Sequence, residues 1–275
     1  MRFLFFPRIS GRALAAVSMV LIFFFFPSGH ASGLPAAPTG LINGKNVSRL
    51  YSEVNSKNLS TGERIAWFAR RFIGTPYDRD PLGEYVTRKT IVADDNVDCM
   101  YHVFRSVELA LAGTPAGAER LALIMRFRDV GRLSPNGEVL NYDDRYQYGL
   151  DMVLSGKWGK NITGSLGKTE TVPASPRFAK EGVSSVQVLP KKEIGQALRK
   201  TMFKSGDLVF FVKDPARRVV GEVIGHMGIL AAQGGQIWLI HAHGTKKMGG
   251  AVAQTRFGDY ARSMPFIGII VTRLD

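Results

Sequence analysis

Apolar and polar positions along this chain follow two periods, a helical one early and a two-residue one late. Ile65, Phe68, Ala69 and Phe72 recur three and four residues apart, directly after Ser60 and Glu63, whose spacing suits a capping box. Gly74-Thr75-Pro76-Tyr77 closes that helix, because the residue before a proline is pushed out of the helical region. After a loop carrying Asp78 to Asp95, a second helix is predicted from Asp98, its cap, to about Ala112. Met100, Val103, Phe104, Val107 and Leu111 form its buried stripe. The last quarter reads instead as short β-rich runs at 207–212, 226–232, 237–242 and 266–273, separated by Gly, Pro and charged residues. Helices first and strands later predict an α+β fold, with N-terminal helices packed on a mostly antiparallel sheet.

Three stretches stand outside this pattern. Residues 1–31 read as a secretory signal peptide: Arg2, Arg8 and Arg12 lead into the apolar run Ala13 to Phe26, and the small Gly29 and Ala31 suit cleavage. A run of about 14 residues is short of the ~20 needed to span a bilayer, so no stable membrane span is expected after processing. Residues 32–59, rich in Gly, Pro, Ala, Ser and Asn, read as a linker or N-terminal arm. Residues 126–204 are polar and irregular, with Tyr142, Tyr146, Tyr148 and Trp158, and read as an insertion within a catalytic domain at 60–275.

Composition narrows the function. A net charge of +13 favours anionic partners, and an export signal turns that preference from nucleic acid toward anionic lipid or cell-wall polymers in the periplasm or cell envelope. The chain has 1 cysteine, so no internal disulfide is available, and the thiol is buried, paired between chains or chemically employed.

Position points to chemistry. Cys99 directly follows the Asp98 cap, where free backbone donors and the positive end of the helix dipole favour a thiolate. Asp94, Asp95 and Asp98 oppose that effect, so a base is needed. Beyond the signal the histidines are His102, His226, His241 and His243. A hairpin turning at Gly234-Gly235 sets His226 opposite His243 and Gly228 opposite His241, and alternate residues share a face. All three imidazoles then point the same way, as a nucleophile, base and orienting group require.

Four blocks carry a family resemblance. They are Gly74-Thr75-Pro76-Tyr77, Asp98-Cys99, the run from Ser205 to Phe211, and Gly225-His226-Met227-Gly228-Ile229 with Ile237 to Ala242. In this order they resemble the papain-like NlpC superfamily of bacterial cell-wall cysteine peptidases and amidases. The resemblance implies a papain-like core with Cys99 as nucleophile, His226 as base and His241, or alternatively His243, as the residue that orients it. It places the Tyr77 hydroxyl beside the oxyanion and Asp98 at the edge of the cleft. Asn141-Tyr142, Arg145-Tyr146, Tyr148-Gly149, Asn161-Ile162-Thr163 and Phe266-Ile267-Gly268-Ile269 are similar to one branch. Its members are N-acetylmuramoyl-L-alanine amidases acting on muropeptides that end in anhydro-muramic acid.

Arg145 and Tyr148 are then candidates for peptide-carboxylate and sugar contacts. Tyr101-His102-Val103-Phe104-Arg105 departs from that branch, and these residues are expected to line or flank the cleft. The leading expectation is a cysteine amidase needing neither metal nor cofactor. Its alternatives are a stem-peptide endopeptidase of the same superfamily, a zinc hydrolase using Cys99-x-x-His102 with His241-x-His243, and a non-catalytic envelope-binding protein.

Overall fold

The computed structural model describes residues 40–219 and 221–275; the expected signal peptide lies outside them. A two-stranded hairpin, β1 (Leu41–Ile42) and β2 (Lys45–Asn46), leads into helices α1 (Val47–Asn55), α2 (Thr61–Arg71), α3 (Glu84–Thr87), α4 (Cys99–Leu111) and α5 (Pro115–Met125). There follow α6 (Gly149–Ser155), β3 (Lys160–Asn161), α7 (Thr163–Leu166), β4 (Glu170–Pro173), α8 (Pro176–Lys180), β5 (Ser185–Pro190) and α9 (Lys191–Arg199). The chain ends with β6 (Leu208–Val212), β7 (Ile224–Gln233), β8 (Gln236–Thr245), β9 (Gly249–Arg256), α10 (Phe257–Ser263) and β10 (Gly268–Arg273). The main sheet runs β4-β5-β10-β6-β7-β8-β9, with β3 also on β10, and its described pairings are all antiparallel. The α+β expectation is met.

The two early helices form where their caps place them. Ser60 accepts from the Glu63 N–H while the Glu63 carboxylate accepts from the Ser60 N–H, so both arms of the box are closed. Asp98 Oδ1 accepts from Tyr101 N at 2.8 Å and opens α4 one residue later, at Cys99. The stripe expected for α4 is too narrow, because residues 101–110 are all buried. Leu111, assigned to that stripe, is 40% exposed instead. The helix is enclosed by α2, α5 and the sheet, and each fully buried side chain such as Val103, Phe104 or Val107 contributes about 1.5–3 kcal/mol.

Two of the stretches outside the early pattern are packed closely against the rest. From residue 40 onward, the segment read as an arm is built into the domain. Val47, Leu50, Tyr51 and Val54 form a buried i, i+3, i+4, i+7 stripe on α1, and the Tyr51 hydroxyl donates to Leu109 O on α4 at 3.0 Å. Short apolar residues spread among Asn, Ser and Lys hide this stripe in a composition count.

The stretch 126–204, expected as an insertion within the domain, is joined to the main sheet. β5 and β3 pair directly with β10, and Trp158 stacks on Phe104 of α4 with ring centroids 4.7 Å apart. The Lys157 ammonium donates to Ile124 O and Phe127 O at 3.0 and 2.6 Å, a cation placed where α5 leaves carbonyls unpaired. Its elements are short, so neither period could register.

The sheet buries both faces. Leu208, Phe210, Val212, Met227, Ile229 and Ile240 join the core under α1, α2, α4 and α5. Val209, Phe211, Leu230, Leu239, Ile269 and Val271 join a second core under α9 and α10.

Candidate active site

The β7–β8 hairpin turns at Gly234-Gly235, both with positive φ, and pairs as its sequence predicts from Gln233↔Gln236 to Ile229↔Ile240. There the ladder between the two strands stops. Because Leu230 N donates to Asp207 O on the β6 side, the N–H groups of Ile229 and Met227 point toward β8. Past Ile229 that direction holds the Cys99 sulfur, which meets the Met227 N–H and its own. The sulfur thus lies against the peptide that joins His226 to Met227, where β7 and β8 part.

The structure brings the three sheet histidines together. His226 Nε2 and His241 Nδ1 are 2.6 Å apart, and the His241 and His243 rings stack with centroids 5.4 Å apart. His241 is 1% exposed and His243 lies at the surface, so the buried partner of His226 is His241. Gly228 makes this approach possible, since a Cβ there would lie 3.0 Å from His241 Cβ and 2.9 Å from Ile240 O. The His226 ring stacks on Phe211 at 5.6 Å and Phe266 at 6.4 Å. These contacts belong to the α10 face, whereas α4 packs on the other face, so Cys99 and the histidines approach the strand gap from opposite faces of the sheet. Among the described residues no hydrogen bond joins Cys99 to an imidazole.

Burial governs the charge states. It pushes the Cys99 thiol up to about 12, with the Asp98 carboxylate acting the same way, against the Met227 N–H, Lys246 and the Cys99 N–H. Burial pushes His226 down to about 4, helped by repulsion from His243 and His102, and drives His241 down as well. Both shifts favour the uncharged forms, thiol and neutral imidazole. For His226 to accept a proton through Nδ1, its Nε2–H must donate to His241 Nδ1, which leaves the His241 proton on Nε2.

The remaining candidates divide. Tyr77 stands beside the sulfur, its hydroxyl raised by burial and by the Cys99, Asp98 and Asp78 charges, and Gly244 leaves room for its ring. Asp98 caps α4 and its Oδ2 accepts from Lys246 Nζ at 3.1 Å. Arg145 donates to Tyr142 O at 2.8 Å in the loop before α6. Tyr148 lies under the Arg177 guanidinium at 4.4 Å, and the adjoining Gly149 packs on Met227. Arg177 is an addition that the sequence pattern does not mark.

The expectation that residues 101–105 line the cleft is overturned. Tyr101 is 1% exposed, His102 0% and Arg105 2%. The Tyr101 hydroxyl donates to Asp94 Oδ1 at 2.9 Å, Arg105 Nε lies 2.9 Å from the same oxygen, and His102 Nε2 lies 3.3 Å from Ala69 O with its ring edge-on to Phe72. These residues hold α4 from behind. With His102 turned into the core, the Cys99-x-x-His102 ligand pair is not assembled. No group of three or more His, Cys, Asp or Glu side chains among the described residues could hold a metal ion.

Two side chains that sequence reasoning passed over stand at the site. Tyr260 of α10 lies edge-on to His241 at 5.0 Å and is pushed up to about 12 by burial and the nearby sulfur. Lys246, in the turn between β8 and β9, sits between Asp98 and Asp78. A cleft of about 510 Å³ is lined by Tyr77, Asp78, Asp80, Glu84, Asn96 and Gly250 among others, with neither Cys99 nor a histidine in its lining. A larger cavity of about 630 Å³ lies at the start of α2 and the C-terminal residues, with no histidine in its lining.

A scan of protein-family models and a search of curated proteins return no match. Solved structures do match in fold. A Legionella pneumophila protein of the DUF1460 family is 20% identical with a TM-score of 0.62, the match covering 82% of this chain and 92% of that one. An N-acetylmuramoyl-L-alanine amidase from Bacteroides uniformis is 20% identical with a TM-score of 0.59, covering 78% and 99%. A Bacteroides fragilis protein described as a candidate xylanase is 20% identical with a TM-score of 0.56, covering 76% and 100%. The chain shares the α+β fold of these proteins.

Proposed function

We propose that this protein is an exported cysteine-dependent cell-wall hydrolase that cleaves the N-acetylmuramoyl-L-alanine amide bond of muropeptides. One observation carries the reading. The chain's single thiol sits at the first turn of α4 beside the Met227 N–H, next in sequence to an imidazole whose far nitrogen is fixed at 2.6 Å by a second, buried imidazole. The fold shared with a protein named for this activity supports the choice of substrate.

In this mechanism His226 Nδ1 takes the Cys99 proton as the sulfur attacks the carbonyl carbon of the muramoyl lactyl group. The carbonyl oxygen becomes an oxyanion facing the Cys99 N–H and the Tyr77 hydroxyl. Collapse breaks the C–N bond, and His226 returns its proton to the departing L-alanine nitrogen. Water, deprotonated by His226, then releases the acyl group and restores the thiol. Burial keeps His226 unprotonated and ready to accept in the resting enzyme.

The test is hydrolysis of defined anhydro-muropeptides by wild type and Cys99→Ser, followed by mass spectrometry. Release of the intact stem peptide by wild type and at least ~10²-fold slower turnover by the variant are expected. Undiminished hydrolysis by Cys99→Ser ends the proposal, and fragments cut within the stem move the assignment to an endopeptidase.

A further inference from the structure

Lys246 is the cation nearest the nucleophile, and nothing in the chemistry above uses it. Its ammonium lies 3.1 Å from Asp98 Oδ2 and 3.6 Å from Asp78 Oδ2, and 5.8 Å from the centre of the Tyr77 ring. The two carboxylates are largely withdrawn from water, with side-chain exposures of 18% and 4%. Each also has a structural task. Asp98 Oδ1 caps α4, while Asp78 accepts from the Asp80 and Glu84 N–H groups at 2.8 and 2.7 Å and so shapes the cleft wall. Both carboxylates accept from backbone N–H groups, and Asp98 also acts directly against ionisation of the adjoining sulfur.

We propose that Lys246 is a positioning residue of the Cys99 site. Its ammonium, paired with Asp98 and Asp78, offsets the negative charge that Asp98 places beside the sulfur. The inference rests on the reading of Cys99 as a nucleophile but not on the bond that is cut.

The groups around the sulfur support this assignment. Asp98 comes from the cap that opens α4, Tyr77 from the preceding loop and Tyr260 from α10, while His226 adjoins the Met227 peptide on β7 and is held by His241 of β8. The two tyrosines are held neutral with values raised by burial, and His226 and His241 are held neutral by burial. Lys246 is therefore the cation in this set. The turn is fixed from its other side by Arg79, which donates to Lys247 O at 3.0 Å. That anchor leaves the backbone of the turn in place when Lys246 is replaced.

The experiment measures the second-order rate of Cys99 alkylation by iodoacetamide between about pH 7 and 9, on the full chain and without substrate. Lys246→Met is expected to alkylate roughly tenfold more slowly throughout. Lys246→Arg is expected to stay within about twofold of wild type, since it keeps the charge. Asp98→Asn placed in the Lys246→Met background keeps an acceptor for the α4 cap and is expected to return the rate toward wild type, which loss of a merely structural contact would not do. Circular dichroism and melting temperature establish that each variant is folded. A Lys246→Met rate equal to wild type overturns the proposal, and so does a rate that the double variant fails to recover. Should wild type alkylate normally but hydrolyse no muropeptide, the substrate assignment falls and this inference stands.

Discussion

Replacing Glu108 with Gln should cost this fold more than any comparable change of a single charge, because it strands a guanidinium in the core. Glu108 is 0% exposed and holds Arg126, itself 1% exposed, through two parallel contacts of 2.6 Å to Nε and NH2. Arg126 continues to Ile91 O at 2.9 Å, and Arg105 pairs with Asp94, so the network ties α4 to the loop that precedes Cys99. Two cations and two anions balance there. Removing one anion leaves an uncompensated buried charge, an effect of about 3–5 kcal/mol. At about 2–4 °C per kcal/mol for a domain of this size, the melting temperature should fall by roughly 6–20 °C.

Urea unfolding followed by far-UV circular dichroism measures the free energy directly. Glu108→Leu combined with Arg126→Met removes both charges, and should regain most of the loss. A Glu108→Gln variant within about 1 kcal/mol of wild type would refute the balanced-charge account, as would a double variant no more stable than the single one.

Further outcomes follow from the site. His241→Ala should lower kcat by about 10²-fold or more by freeing the base to turn, while His241→Asn, which keeps an acceptor for His226 Nε2–H, should recover part of the loss; steady-state turnover checks both. Gly228→Ala should destabilise by about 1–3 kcal/mol through contact with His241 and Leu239, and a variant with wild-type stability and turnover would contradict the close approach. His102, fully buried and pushed down to about 4, takes up its proton more readily when unfolded. Its contribution is therefore whole above about pH 6.5 and is lost as pH falls toward 4, an effect of about 3 kcal/mol. His102→Phe should flatten the stability curve between pH 6.5 and 4, and an unchanged slope argues against it. The acid limb of kcat/KM should lie well below pH 6.5, near the depressed value of His226, and a limb at 6.5 or above would show a different base.

What could be read beforehand was what local chemistry specifies. Caps at Ser60 and Asp98 located α2 and the helix that Cys99 opens, and the Gly234-Gly235 turn set the register as far as Ile229↔Ile240, beyond which the expected pairs of His226 with His243 and Gly228 with His241 are not part of the ladder. β9 went unseen because Gly249–Arg256 is an edge strand of small, half-exposed residues with no alternating pattern. Arg105, Glu108 and Arg126 read as surface charges, since their burial depends on partners far apart in sequence. For the same reason Lys246 reads as half of a short basic run, and Tyr260 as an ordinary residue of a short helix.

The early end of the β7–β8 ladder has an effect beyond placing the sulfur. A thiol is a poor acceptor compared with a carbonyl, so the Met227 amide proton is held weakly and should trade with deuterium faster than its neighbours at Ile229 and Ala231. Cys99→Ser, whose hydroxyl oxygen accepts more strongly than sulfur, should slow that one amide, giving a spectroscopic check on the sulfur's place that needs no turnover.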